Sequence, residues 1–431
     1  MNATVPRRVE PLDALLFDPA RVGSLDRVVA PPYDLIDQIQ QERLYARSPF
    51  NIVRLELSRE PDPYASAAAT LAQWRAEATL AHAPKPAFYY YTQRFNHAGQ
   101  GMVRNGLIAR VRLEEFASGR ILPHERTFPK AKEDRLRLLA ATRTNISSIF
   151  GLYPAASRDL RELLGRTAES APLRSATDDH GIVNEIRALD SPGAIATVQE
   201  ALEAPRILIA DGHHRYETAL EYRRQRHAAA PGLSSPRPFD YVMMTLVAFD
   251  DPGLVILPTH RLVRRLPAHA VAHFGDRCRE HFMVEEFAAP DQFRAALTAR
   301  GRRVLGVALG GQSGFLLLAL RDPASLAIAM PDTPAAVREL EVSLLHTLVL
   351  DRIFGIKPDE VRRGGNIEYT IDGPAALAEV AAGRAAGAFL MNPPNVADIE
   401  RVSSAGATMP EKSTYFFPKL ITGLVLNPLD D

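Results

Sequence analysis

The chain has 431 residues, of which 46% are hydrophobic and 24% charged, and its 51 basic residues balance 51 acidic ones. A neutral chain of ordinary apolar content is typical of a globular protein that acts on something small. We expect neither nucleic acid nor membrane among its partners, because nucleic-acid-binding proteins gain affinity by neutralising phosphates. At roughly 150 residues per domain the length predicts two or three domains.

The number of cysteines and the amino-terminal sequence indicate in which cellular compartment the protein is expected. The single cysteine, Cys278, excludes an intramolecular disulfide and a thiolate metal cluster. Residues 1–8 lack the apolar run of a signal peptide, and no stretch reaches the roughly 18 apolar residues of a membrane helix. We therefore expect a cytoplasmic protein.

Hydrophobic periodicity predicts strands and helices in mixed order along the chain. An extended strand at 28–36 leaves the core through Pro31-Pro32. The remaining predicted strands cover residues 87–95, 106–113, 206–210 and 239–249, with two more on either side of a glycine-rich turn within 304–320. The predicted helices cover residues 64–82, 133–142, 160–168, 215–227 and 334–354. Because βαβ alternation is missing, we predict an α+β fold, with segments 1–100, 101–250 and 251–431 as domains.

Lysine is rare in this chain. Six of the 51 basic residues are lysines, and four of the six fall in two short segments, Lys130/Lys132 and Lys412/Lys419. A lysine that persists in an arginine-rich chain can mark a place where a compact ammonium is needed. The alternative is chance clustering.

The sharpest local motif is the run ADGHHRYETAL at 210–220, which follows an aliphatic strand. We expect Asp211 to cap the next helix, Gly212 to let a ligand approach the backbone, and Arg215 to clamp a phosphate at the exposed amides of the helix start. A zinc site is less favoured, because neighbouring histidines such as His213 and His214 diverge by about 100° on a helix. The alternative is a capped core helix with histidines at its polar end.

Two further segments carry chemistry-bearing side chains. In the first, at 122–135, His124 and Glu125 supply a proton acceptor and its neighbour, and two of the rare lysines follow. In the second, Lys412, Ser413 and Thr414 offer one ammonium and two hydroxyls, groups that hold phosphate oxygens or magnesium. The alternatives are a solvated loop for the first segment and a polar turn before an aromatic strand for the second.

These motifs carry a resemblance to a known family. The segments at 30–34, 124–127, 210–216 and 409–419 resemble, in order, those of the uncharacterised bacterial family known as domain of unknown function 1015. The sequence of Pro-His-Glu, Asp-Gly-His-His-Arg and a late Lys-Ser-Thr is also similar to free L-serine kinases of the ParB/sulfiredoxin-like fold. Where sulfiredoxins carry cysteine this chain has His213, which excludes sulfinic acid repair.

The resemblance implies an assignment of roles. It implies a ParB/sulfiredoxin-like nucleotide-binding core with an added N-terminal segment and a C-terminal α/β domain. It implies a kinase of free L-serine that uses Mg²⁺ and takes its phosphate from ADP or ATP. Catalytic roles go to Glu125 as the base, to His124 and to Asp211, which also holds the metal. Phosphate binding goes to the remaining residues of the motifs: Gly212, His213, His214, Arg215, Lys412, Ser413 and Thr414. The rarity of lysine, and not the resemblance, adds Lys130 and Lys132 to the predicted phosphate-binding residues.

Two other functions stay open at this stage. If water is the acceptor, the same site residues would catalyse the hydrolysis of phosphoserine or of a nucleotide, because a base that activates a hydroxyl also activates water. A ParB-like nucleotide-dependent binding switch is the remaining alternative, and the zero net charge counts against it.

Overall fold

The computed structural model describes residues 7–125, 129–232, 236–363 and 365–430. The chain divides into two compact units. The first unit comprises Met1–Pro123, Thr127–Leu254 and Pro418–Asp431. The second comprises His124–Arg126 and Val255–Phe417. The second unit thus takes a three-residue segment from the middle of the first unit's sequence.

The described strands are numbered in chain order. They are β1 (Val9–Glu10), β2 (Leu15–Phe17), β3 (Leu80–His82), β4 (Phe88–His97), β5 (Gln100–Arg112), β6 (Ile121–Leu122), β7 (Thr144–Asn145), β8 (Ile149–Tyr153), β9 (Arg174–Thr177), β10 (Val183–Leu189), β11 (Ile207–Asp211), β12 (Tyr241–Ala248), β13 (Val255–Leu257), β14 (His260–Val263), β15 (Phe282–Phe287), β16 (Val304–Leu309), β17 (Phe315–Leu320), β18 (Ile367–Thr370), β19 (Gly387–Met391), β20 (Tyr415–Phe417) and β21 (Asn427–Pro428).

The described α-helices are numbered in the same way. They are α1 (Pro19–Val22), α2 (Gln38–Arg47), α3 (Val53–Glu56), α4 (Pro63–Ala76), α5 (Pro129–Thr142), α6 (Arg158–Ala168), α7 (Pro192–Glu203), α8 (His213–Ala229), α9 (Ala268–Ala272), α10 (Phe274–Cys278), α11 (Pro290–Arg300), α12 (Ser325–Ala329), α13 (Ala335–Arg338), α14 (Glu341–Leu344), α15 (Pro358–Arg363), α16 (Gly373–Ala381) and α17 (Val396–Ser404). A π-helix over Leu345–Asp351 follows α14 directly.

The first unit is built on a large mixed sheet. Its strand order is β6-β11-β8-β12-β5-β4-β10-β9, with β1 paired to β5. The β12–β8 and β11–β6 pairs are parallel and the other pairs are antiparallel. Side chains of α6, α7 and α8 pack with the sheet in one apolar cluster. Because β11 and α8 both contribute side chains to this cluster, the packing fixes the turn between the end of β11 and the start of α8. We call this turn the corner.

The second unit has a smaller sheet with strand order β15-β17-β16-β19-β14-β18, and every pair in it is antiparallel. An apolar cluster forms between this sheet and the helices α11 and α16. The strand β20 pairs with β13 outside the main sheet.

Much of the predicted secondary structure is confirmed. The strand-to-helix step from β11 to α8, the paired strands β4 and β5, and the two strands β16 and β17 lie where the pattern predicts them. The fold is mixed α+β with a large mixed sheet. In α8 the buried residues Tyr216, Ala219 and Leu220 lie at helical spacing, as predicted. Within the described residues, no helix has the length and apolarity needed to cross a membrane.

Three predicted elements are wrong. The helix predicted over 64–82 ends at Ala76, and residues 80–82 form β3, because they pair with β2. The segment 28–36 is not a strand: Ala30 makes an isolated bridge to Thr422, and the chain then turns into a short 3-10 helix. The helix predicted over 334–354 is broken into α13, α14 and the π-helix.

Candidate functional site

In the first unit, Asp211 holds the corner between β11 and α8. The register between β11 and β8 shifts after Ile209, so that Asp211 pairs with Phe150 in place of the next residue in line. Such a bulge re-aims the side chain that follows it. One carboxylate oxygen of Asp211 accepts a hydrogen bond from the Gly212 amide at 3.0 Å, and the other lies 3.2 Å from the Lys419 ammonium.

The helix α8 starts one residue later than the capping prediction requires. Its N-cap is Gly212 with φ +92°, and Asp211 belongs to the strand, so the prediction of Asp211 as N-cap is wrong. A Cβ on Gly212 would lie 2.9 Å from the Arg215 guanidinium. Glycine is therefore needed twice here, for its left-handed backbone and for the space that Arg215 occupies.

Arg215 extends from the first turn of α8 and donates a hydrogen bond to the Ser148 carbonyl at 2.6 Å. The Arg135 guanidinium lies 4.2 Å from the ring centroid of Tyr33, a residue of the motif at 30–34, and the positive charges of Arg215 and Arg135 both lower the pKa of the Tyr33 hydroxyl. Burial raises the pKa of Tyr33 to about 12, so its hydroxyl stays neutral. The sequence motif around Tyr33, for which no function was predicted, thus contributes to the electrostatic surroundings of Arg215.

A buried polar network supports Lys419. Arg104 is 2% exposed and donates to the Pro418 carbonyl at 2.6 Å and also to Gln93. Gln93 in turn donates to the Lys419 carbonyl at 3.0 Å. Burial lowers the pKa of Arg104 to about 10, with Tyr91 and Asp251 opposing the shift. The network holds the backbone at 418–419, and with it the start of the lysine side chain.

The electrostatics of the corner favour an ionised carboxylate. Burial by itself would raise the pKa of Asp211, but the Lys419 ammonium and the Arg215 guanidinium outweigh it and hold the pKa well below its usual range. The side chain of Asp211 is 27% exposed and that of Lys419 17%. Asp211, Arg215 and Lys419 form what we call the corner cluster.

The other residues predicted for this site differ in their burial and in their partners. His213 is buried and His214 half-buried in the first turn of α8. Lys132 lies 2.7 Å from a carboxylate oxygen of Glu217, an ion pair that ties α5 to α8. Lys130 is in α5, and its side chain lies outside the described part of the chain.

In the second unit, Glu125 is held against the segment that carries Lys412. The Met409 amide donates to the His124 carbonyl at 2.7 Å, and Glu125 and Met409 form an isolated parallel bridge. The Lys412 amide donates to the Glu125 carboxylate at 3.1 Å. Lys412 reaches this position with φ +55°, a conformation that is uncommon outside glycine and that concentrates at functional sites.

The hydroxyls of the Lys-Ser-Thr motif are used inside the second unit. The Thr414 hydroxyl lies 3.0 Å from His124 Nε2, and His124 is 1% exposed. The Ser413 hydroxyl donates to the Pro410 carbonyl and closes the turn. Lys412 has an exposed side chain. The structure thus brings together all five predicted residues of this group, namely His124, Glu125, Lys412, Ser413 and Thr414.

Arg261 lies under this loop and was missed by sequence reasoning. Its fully buried guanidinium donates to the carbonyls of Glu411 at 3.2 Å and Lys412 at 3.1 Å, and it lies 5.1 Å from the Tyr369 ring centroid. Burial lowers the pKa of Arg261 to about 10, while Tyr369 and Glu125 oppose the shift. The sequence around Arg261 is polar on both sides, with Thr259 and His260 before it and Arg264 after Leu262-Val263, and it carries no pattern that marks this arginine as buried. For Lys419, the signal was the rarity of lysine.

The class of protein is mixed α+β, with a cationic corner cluster in one unit and a carboxylate fixed by a backbone amide in the other. The family model described as "Protein of unknown function (DUF1015)" matches residues 9–343, and the chain belongs to this family. No curated protein matches the chain.

Three solved structures are similar to this chain. A free serine kinase in complex with AMP shares 12% identity at a TM-score of 0.34, covering 72% of this chain and 86% of its own. SbnI with a C-terminal truncation, from Staphylococcus aureus, shares 12% at 0.36, covering 75% and 90%. A conserved hypothetical protein from Pyrococcus furiosus shares 11% at 0.34, covering 73% and 92%.

Proposed function

We propose that the protein is a small-molecule phosphotransferase, and specifically a nucleotide-dependent kinase that converts free L-serine to O-phospho-L-serine. The observation that carries the proposal is the corner cluster, in which an ionised Asp211 lies with Lys419 and Arg215 at the start of a long helix. Exposed amides and the positive end of a helix, together with a guanidinium and an ammonium, are suited to hold phosphate oxygens.

Mg²⁺ fits this cluster as a partner of the nucleotide. In the described residues no group of three histidine, cysteine or carboxylate side chains lies together as a metal site. Mg²⁺ in kinases is bound by one or two carboxylates plus substrate phosphates and water, so the single carboxylate of Asp211 is an adequate protein ligand. The metal supplies neutralisation of charge on the phosphates. The phosphate donor in this reaction is ADP or ATP, and the first unit contains a ParB/sulfiredoxin-like nucleotide-binding core.

Glu125 is the base in this proposal. The Lys412 amide fixes one oxygen of its carboxylate, and the carboxylate has the lone pairs to accept a proton from the acceptor hydroxyl. That hydroxyl oxygen attacks the transferred phosphorus as its proton passes to Glu125, and the nucleotide leaves with one phosphate fewer. Phosphoryl transfer demands positioning and neutralised charge more than covalent chemistry.

The remaining predicted residues position the catalytic groups, bind anions or stabilise the fold. His124 is a positioning residue, because it is buried and engaged by Thr414. Ser413 shapes the turn through Pro410. Gly212, His213 and His214 provide the helix start, and the exposed Lys412 ammonium is available to an anion. Lys132 has its ammonium engaged by Glu217, so we assign it to structure and not to phosphate binding.

The test is phosphorus NMR of the purified protein with Mg²⁺ and L-serine, with ADP and ATP supplied in separate tubes. We expect an O-phosphoserine resonance with one donor, and its absence in the Glu125→Gln variant. If the nucleotide is consumed but no phosphoserine forms, the protein is a nucleotide hydrolase and not a serine kinase. If neither nucleotide is consumed and O-phosphoserine added alone is hydrolysed, the protein is a phosphatase. No reaction in any tube would overturn the enzymatic proposal and favour the nucleotide-dependent binding switch.

A further inference from the structure

The first unit contains a small polar cavity to which the proposed phosphotransfer assigns no role. Side chains from α3, α5 and α8 line it, together with residues within 144–149, a segment that includes β7 and the start of β8. The volume is about 50 Å³, and since a water-sized group needs roughly 10–15 Å³ of such space, the cavity holds about four non-hydrogen atoms. Its polar lining includes Glu56, Arg135, Ser147, Arg215 and Thr218.

Glu56, at the end of α3, contributes a carboxylate with one unpaired oxygen. Its side chain is 4% exposed, and its Oε2 accepts a hydrogen bond from Arg135 Nη1 at 3.0 Å. Oε1 is buried and has no hydrogen-bond partner in the described part of the chain. Buried polar groups are normally paired, so an unpaired one indicates a missing partner. A carboxylate accepts hydrogen bonds and donates none, so the missing partner is a donor.

The neighbouring cation, Arg135, is already balanced by carboxylates. Its guanidinium donates to Asp134 through Nε at 2.8 Å as well as to Glu56, and it lies 4.2 Å from the ring centroid of Tyr33. Burial by itself lowers the pKa of Arg135, but Glu56 and Asp134 outweigh it and raise the pKa above its usual range. Arg135 therefore stays charged and holds the Glu56 carboxylate in place, while Oε1 remains open to a donor from elsewhere.

Arg215 gives the lining a positive charge as well. Its Nη1 donates to the Ser148 carbonyl at 2.6 Å, and a guanidinium has five N–H donors, so donors remain for a ligand. Because the cavity has an anionic and a cationic side chain, a ligand of one charge meets repulsion from one of them, whereas a zwitterion pairs with both. The ammonium, α-carbon and carboxylate of an amino acid form such a group and are about the size of the cavity, while a nucleoside is several times larger.

We propose that this cavity binds the head group of an α-amino acid, with its ammonium on Glu56 and its carboxylate on Arg215. The inference rests on the proposed function, for which it supplies the binding site of the acceptor, L-serine. Arg215 also belongs to the corner cluster, so an amino acid in the cavity lies beside the cations that are proposed to bind phosphate. The segment at 30–34 then has a role too, because Tyr33 packs its ring against the arginine that fixes Glu56.

The test is isothermal titration calorimetry of the full chain, with and without AMP, using L-serine, 3-hydroxypropanoate and ethanolamine as probes. The second compound lacks the ammonium and the third lacks the carboxylate. We expect L-serine to bind about tenfold or more tighter than either of the other two. Absence of L-serine binding in both conditions, or equal affinity for the three compounds, would overturn the proposal. This comparison needs only the wild-type protein, so it decides the proposal even if a variant fails to fold.

Glu56→Gln tests the ammonium contact. Glutamine keeps an oxygen for Arg135 and loses the negative charge, so L-serine affinity should fall about tenfold, while retained binding of 3-hydroxypropanoate shows that the variant is folded. The matched control is Glu162→Gln, at a glutamate of α6 whose side chain is 50% exposed, and it should bind L-serine as wild type does. Unchanged L-serine affinity in Glu56→Gln would contradict the site. Weaker AMP binding with unchanged L-serine binding would instead assign the cavity to the nucleotide.

The two proposals fail in different ways. If phosphoserine forms, and neither the KM nor the affinity for L-serine changes in Glu56→Gln, the amino-acid site is wrong and the kinase stands. If L-serine binding depends on Glu56 and no phosphoserine forms with either donor, the kinase is wrong and the amino-acid site stands.

Discussion

The Lys419 ammonium lies 3.2 Å from a carboxylate oxygen of Asp211, although 208 positions separate the two residues in the chain. Asp211 ends a strand in the middle of the first unit, and Lys419 belongs to the carboxy-terminal stretch that returns to that unit after the whole of the second. The corner cluster therefore forms only when the stretch that begins at Pro418 is held against the sheet of the first unit, as Arg104 and Gln93 hold it through its backbone carbonyls. Its cationic character depends on that return.

Lys419→Met should raise the pKa of Asp211 and weaken nucleotide binding. Without the ammonium, the effect of burial on the carboxylate is less opposed, and the unfolding free energy should fall by roughly 1–3 kcal/mol because a half-buried charge loses its partner. Calorimetric titration with ADP and ATP, and carboxyl NMR titration, measure these effects. Lys85→Met, at a lysine whose side chain is 71% exposed, is the control. Wild-type nucleotide affinity in Lys419→Met would contradict the role of the corner cluster.

Gly212→Ala should displace Arg215 and reduce nucleotide affinity. The new Cβ would lie 2.9 Å from the guanidinium at a residue with φ +92°. Gly232→Ala is a matched control, since Gly232 has φ +97° and a Cβ there meets nothing within 4 Å. Both variants should lose roughly 1 kcal/mol of unfolding free energy to backbone strain, but nucleotide affinity should fall only at position 212. Equal affinities would show that Arg215 does not hold the nucleotide.

Glu125→Gln should lower turnover by about a hundredfold or more while nucleotide affinity stays near wild type. Glutamine keeps an oxygen for the Lys412 amide at 3.1 Å but cannot accept the proton. Steady-state rates of phosphoserine formation, with nucleotide affinity measured separately, separate the two effects. The control is Glu133→Gln, at a glutamate whose side chain is 65% exposed. Unaltered turnover would remove Glu125 from the mechanism.

Thr414→Val tests His124 as a positioning residue. Valine has the shape of threonine without the hydroxyl that lies 3.0 Å from His124 Nε2, so the buried imidazole loses this hydrogen bond. We expect a loss of roughly 1–3 kcal/mol in unfolding free energy, and a fall in turnover smaller than that of Glu125→Gln. Thr414→Ser should restore both. If the serine variant behaves like the valine variant, the hydroxyl is not what positions His124.

Acid should destabilise the protein partly through His260. Burial, with Arg261 as the second cause, lowers the pKa of His260 from 6.5 to about 4. Between these two pH values His260 is protonated in the unfolded chain and neutral in the folded one. The free energy of unfolding therefore decreases as the pH falls from 6.5 to about 4, by about 3 kcal/mol in total. Stability above pH 6.5 is unaffected by this group.

His260→Asn keeps an acceptor for the Met391 amide, which donates to His260 Nδ1 at 3.2 Å, and removes the titration. Its unfolding free energy should decline less steeply than that of wild type over the same pH window, as measured by urea denaturation at a series of pH values. His180→Asn, at an exposed histidine, should follow the wild-type curve. Parallel curves for His260→Asn and wild type would show that this histidine is not protonated on unfolding.

Much of the candidate site could be predicted from sequence, because its parts are local. A buried aliphatic strand followed by Asp211-Gly212 and a helical period predicts a strand, a turn and a helix whatever the rest of the chain does. Glu125 and Lys412 lie in segments without a helical or strand pattern of apolar residues. Such polar residues can be recognised from the sequence as candidate functional residues. The elements that failed did so where pairing over distance overrode local pattern, as at 80–82, where β3 pairs with β2.

The tertiary structure alone decided which of these parts belong together. Glu125 and Lys412 share a unit because Glu125 pairs with Met409 at the start of the loop that carries Lys412, and Lys419 joins Asp211 in the other unit. Buried Arg104 and Arg261 act as supports by binding backbone carbonyls. Local periodicity reports which face of an element is buried, but a pairing across two hundred residues depends on the packing of the entire unit, which no local pattern contains.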